Sequence, residues 1–139
     1  MQKFLLALKY FSIAYLIGTA VGFLTYYINI ILMWISLFTI MPALFGYFFY
    51  IYLKNIDNKS SSLAKETNLI IILWILLSFI LDGLVYIAIV PLFFGYKANW
   101  TFFIDQSPWI WLNYATLILI GHISRYIYKN NSKKYNREY

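Results

Sequence analysis

Apolar positions run along this chain in long unbroken stretches, without the short alternating pattern of a surface strand. Between Tyr10 and Leu53 there are 44 consecutive uncharged residues, about twice the ~20 that cross a hydrocarbon layer of ~30 Å once. That run must turn back on itself. The stretch Tyr26-Tyr27-Ile28-Asn29 is its natural break, because two Tyr and an Asn suit a headgroup level better than a bilayer centre. A second run, Thr67 to Tyr96, is interrupted by Asp82 alone, and a third begins after Ser107-Pro108, where Ser can cap a helix and Pro fits its first turn. The pattern predicts an all-α integral membrane protein, a four-transmembrane-helix bundle with spans near 10–28, 31–53, 68–94 and 109–128. Loops at 54–67 and 95–108 and a basic tail at 129–139 complete a single membrane domain, 1–139.

Composition sharpens this picture. With 63% hydrophobic and 12% charged residues and a mean hydropathy of +0.70, a soluble globular domain is excluded. The first apolar run exceeds the roughly 7 to 15 residues of a signal-peptide core and no A-x-A-like site follows it, so the first helix is expected to stay. Of the 11 basic residues, only Lys97 falls in the second loop, while the other ten fall toward the opposite side, in the termini, the 54–67 loop and, for Arg125, near the end of the fourth span. Such asymmetry over short loops places both termini in the cytoplasm. The net charge of +6 then reflects topology and contact with anionic membrane lipids, and requires no nucleic acid. Cysteine is absent, which removes thiol chemistry. The abundance of Ile, Asn, Lys, Tyr and Phe, all with AT-rich codons, points to a bacterial cytoplasmic membrane.

The second and fourth spans end alike, as "GYFFYIYLKN" from Gly46 and "GHISRYIYKN" from Gly121, and the first and third share Leu-x-Gly at Leu16 and Leu81. Both features suggest a duplicated helical hairpin inserted twice in the same sense. In length, topology and paired hairpins the chain resembles the small GtrA-type membrane proteins, a resemblance that implies movement of polyprenyl-phosphate-linked sugars. It carries over no functional residue.

Three constellations bear on function. Ala14, Gly18 and Gly22 recur every four residues in the first span, a small-residue face for close helix packing, within the bundle or between two copies. Pro42, near the centre of the second span, removes a backbone donor and makes that position a candidate hinge. Asp82 is the third and sharpest. Ser78 and Tyr86 stand one helical turn to either side of it, giving a polar stripe of hydroxyl, carboxyl and phenol. A lipid-facing Asp costs roughly 2.5 to 3.5 kcal/mol on the most lenient scale, so the stripe should face the bundle interior. There it acts either as interhelix glue, a protonated acid bonded to Ser78, Tyr86, Tyr15 or Thr19, or as a proton, cation or substrate site. His122, the only histidine, is a further candidate for this intramembrane polar site, paired with Asp82 or lining an inner-leaflet cavity above a snorkelling Arg125.

One His, no Cys and one intramembrane acid supply no usual metal-ligand set, and no serine lies in a nucleophile setting. The expectation is therefore a non-enzymatic protein without metal or cofactor. It would bind a membrane partner protein, a lipid or a second copy of itself, as an accessory, regulatory or immunity-type subunit. The alternative is a small oligomeric transporter or lipid-carrier flippase that uses Asp82.

Overall fold

The computed structural model describes residues 2–56 and 63–138, with the side chains of 133–138 excepted. Every regular element among them is helical: α1 (Gln2–Ile28), α2 (Ile30–Asn55), α3 (Leu63–Asp82), a π-helical segment (Gly83–Ile89), α4 (Val90–Phe93), α5 (Phe102–Asp105) and α6 (Trp109–Glu138). Three rods are long and apolar enough to cross a membrane: α1, α2 and the continuous stretch Leu63–Phe93. This is a helical membrane protein. In α6 the apolar run is interrupted by Asn113, His122 and Arg125.

The helices overrun the apolar spans. Charged turns at Lys3, Lys65 and Lys129 remain helical, because the backbone ladder continues past the apolar run into polar surroundings. The 129–139 tail is therefore a continuation of α6 through Glu138. Of the 54–67 loop, 57–62 lie outside the described residues, and α3 already begins at Leu63. The break expected at Tyr26–Asn29 contracts to Asn29 alone. Its backbone is extended, and its side-chain oxygen accepts from the Ile31 N–H at 2.7 Å, capping α2.

Named contacts set the topology. Phe11 meets Phe45 and Tyr10 meets Phe48, so α1 and α2 run antiparallel. Trp34 meets Trp109 and Tyr50 meets Tyr128, so α2 and α6 run parallel over most of their length. Phe79 meets Tyr114, and Ile71 lies against Gly121, which makes α3 and α6 antiparallel. The two glycines aligned by the hairpin repeat, Gly46 and Gly121, both sit at the junction of α2 and α6. Gly46 touches Ile120 and accepts the Ser124 hydroxyl on its carbonyl at 3.1 Å, while Gly121 touches Phe49. Backbones approach closely there because neither glycine has a Cβ.

The fourth side of the ring, α1 against α3, is different. These backbones stand apart and are bridged by long side chains: Lys3 to Glu66 as an ion pair, then Phe11 to Trp74, Tyr15 to Asp82 and Phe23 to Tyr86. At the end where α1 starts, this gap is filled by a core of Phe11, Phe45, Phe49, Tyr52, Ile70 and Trp74. Ring centroids of Phe49 and Trp74 lie 5.1 Å apart, and such a pair contributes about 0.5–1.5 kcal/mol beyond its area burial. At the other end, beyond Tyr15, the Phe23–Tyr86 ring pair spans the gap and the space beside it is open.

Candidate functional site

That opening is a cavity of about 740 Å³ walled by α1, α2, the α3 rod, α6 and the 94–106 stretch. It lies within the range of ligand pockets and far exceeds the packing voids of a folded interior. Its walls are mainly aromatic and aliphatic, including Phe23, Trp34, Leu37, Phe45 and Phe102. Among the described residues, two side chains lining it bear a formal charge, Asp82 and Lys97.

The small-residue face of α1 helps form this wall and is turned into the bundle. Ala14 is fully buried, Gly18 lies against the Met41 side chain, and a Cβ on Gly22 would meet only Leu37, at 3.7 Å. At Gly18 and Gly22 this face meets side chains of α2.

Asp82 sits at the inner end of the cavity, the last residue of α3 before the π segment. Tyr15 of α1 donates to its Oδ1 at 2.7 Å, and Tyr114 of α6 donates to its Oδ2 at 2.6 Å. Both tyrosines are buried, at 7% and 6% exposure. One carboxyl thus ties three helices together. Thr19 of α1 also lines the cavity, extending its polar lining along that helix.

Ser78, Asp82 and Tyr86, read from the sequence as one stripe, all line the cavity. The bonds to the carboxyl nevertheless come from other helices. His122 stands apart from this site and is exposed on α6. The residue of α6 that reaches Asp82 is Tyr114, eight residues earlier and about 12 Å along the axis, so an Asp82–His122 pair does not form.

Tyr114 and Lys97 are the site residues that the sequence reading did not single out. A faint signal for Tyr114 existed in the polar neighbours Asn113 and Thr116 within an apolar span, both of which line the cavity.

Backbone irregularities border the site. The π segment begins at Gly83, and a wider turn of this kind shifts every later side chain around the helix. Pro91 follows, and it has no N–H to bond the Ile87 carbonyl in α-helical register. The Asn99 N–H takes that carbonyl instead at 2.9 Å, and the Tyr96 N–H bonds the Pro91 carbonyl at 2.8 Å. The 94–101 stretch is thereby folded back over the cavity end. Across α2, Pro42 also lines the cavity, and the helix runs unbroken through it. The Ser36 and Thr39 hydroxyls bond the Leu32 and Ile35 carbonyls, one turn back, and so do not serve the Phe38 carbonyl freed by Pro42.

Among the described residues no group of three or more His, Asp or Glu side chains could hold a metal ion. No protein-family model, curated protein or solved structure matches this chain.

Proposed function

We propose that the chain crosses a bacterial cytoplasmic membrane four times with both termini inside, and acts without catalysis by binding an amphipathic small molecule or lipid in the cavity, which opens toward the outer leaflet. The observation that carries this reading is the aromatic-walled cavity with a carboxyl at its inner end.

The topology has two supports. Helix α6 runs beside α2 from Trp34–Trp109 to Tyr50–Tyr128, so a layer crossed by α2 is crossed by α6 as well. Exposed aromatics gather at the cavity end, with Tyr26, Tyr27, Tyr96, Trp100 and Trp109 all about half exposed or more, as an interfacial belt would be. A second reading, a transporter that exposes the cavity alternately to either side, is favoured by Pro42 and the π segment. Pro42 removes one backbone hydrogen bond from an otherwise continuous α2 and the π segment departs from α geometry, and both stand beside the cavity, where elements that change conformation need weak points.

Lipid nanodiscs cut directly from native membrane test the binding reading. Gly22→Phe places a ring in the cavity, since only Leu37 stands near a Cβ there. Mass spectrometry should find one enriched amphiphile with the parent protein and lose it with the variant. Identical bulk lipid around both would refute the reading.

A further inference from the structure

The chemistry around Asp82 restricts what this cavity accepts, and this inference rests on the binding reading above. We propose that the ligand is a lipophilic organic cation, an ammonium or similar onium, whose charge sits against Asp82 while its apolar groups lie on the rings of Phe23, Trp34, Phe45 and Tyr86.

Charge comes first. Among the described residues, Asp82 is the only acidic side chain lining the cavity, and no Arg or His lines it. Lys97 is exposed and lies past the end of the rod, in the 94–101 stretch folded back over the cavity, and makes no ion pair with Asp82 among the described residues. A part-buried carboxylate that has hydroxyl partners but no basic neighbour lacks the counter-charge that desolvated ions require. A bound cation supplies it.

Hydrogen bonding points the same way. The Tyr15 and Tyr114 hydroxyl protons are already committed to the two carboxyl oxygens. An anionic headgroup reaching this depth would meet a carboxyl with both phenolic donors taken, and no cation beside it. Phosphate-linked lipids, the cargo implied by the GtrA-type layout, are therefore disfavoured at the inner end. Aromatic faces complete the argument, because ring quadrupoles attract cations and do so most strongly when water is excluded.

Tetraphenylphosphonium and tetraphenylborate, nearly equal in size and shape but opposite in charge, are suitable probes. Binding is measured by equilibrium dialysis of the full chain in phosphatidylcholine nanodiscs, with empty discs subtracted. Saturable phosphonium binding is expected, at least tenfold tighter than borate binding. Asp82→Asn should weaken it at least tenfold, and Asp82→Glu, which keeps the charge, should restore most of it. Lys97→Gln should leave phosphonium binding unchanged or tighten it a few-fold. Equal binding of both ions, lost in Gly22→Phe, would overturn the charge selection while leaving an amphiphile cavity in place. Absence of binding by either ion would overturn the cation assignment. Should Asp82→Asn fail to fold, the comparison of the two ions on the unaltered chain still decides.

Discussion

The Tyr114 phenol lies 2.6 Å from Oδ2 of Asp82 and joins the second turn of α6 to the last α-helical residue of α3. With Tyr15 on the opposite oxygen at 2.7 Å, the carboxyl closes a junction of three helices at the level where the packed core gives way to the cavity. The same group is thus structural toward its neighbours and chemical toward the open space.

Removing that acceptor should destabilise the bundle. Asp82→Leu leaves two buried phenols without a partner, at about 1–3 kcal/mol for each. Asp82→Asn keeps one carbonyl acceptor and should lose less, and Tyr15→Phe or Tyr114→Phe should fall between the parent and Leu. Thermal unfolding in detergent reads the order. A Leu variant as stable as the parent would show that the junction does not hold the helices.

The small-residue positions should rank by what a new methyl meets. At Gly121 it collides with Ile71, a β-branched side chain with little freedom to move, and at Gly18 with the flexible end of Met41. At Gly22 it makes an ordinary contact with Leu37 at 3.7 Å. Gly121→Ala is expected to lose about 1–3 kcal/mol, Gly18→Ala less, and Gly22→Ala almost nothing. Ile71→Val should partly rescue Gly121→Ala. Equal losses at the three sites would contradict these contacts.

Pro91→Ala returns an N–H that can bond the Ile87 carbonyl and displace the Asn99 N–H now bonded there at 2.9 Å. Hydrogen exchange at the Asn99 amide should accelerate while the α3 amides keep their protection. Unchanged exchange at Asn99 would mean that the 94–101 stretch is anchored elsewhere.

Single cysteines test the orientation cleanly, since the chain has none of its own. Trp100→Cys, at a site 81% exposed, should react with a membrane-impermeant thiol reagent in intact cells. Ser132→Cys should react only after lysis. The reverse pattern would invert the proposed topology.

The sequence by itself determined the apolar rods and the turn at Asn29, because span length depends on consecutive residues and a helix in an apolar medium satisfies its own backbone. It also marked Asp82 as a residue expected to turn away from lipid, since the penalty for exposing a carboxyl there is a property of that one residue. Ser78, Asp82 and Tyr86, grouped by their spacing in the sequence, all line the cavity from the continuous Leu63–Phe93 rod. Tertiary structure alone decided the rest. That Tyr15 and Tyr114 hold Asp82, that His122 stands apart, and that the Ala14–Gly22 face meets α2 all depend on how the helices rotate and slide against one another. Those offsets arise from many weak contacts spread over several helices, such as Phe11 with Trp74 and Gly46 with Ile120. The cavity was equally invisible in the sequence, because it is the space left where α1 and α3, well packed near Phe11, stand apart beyond Tyr15.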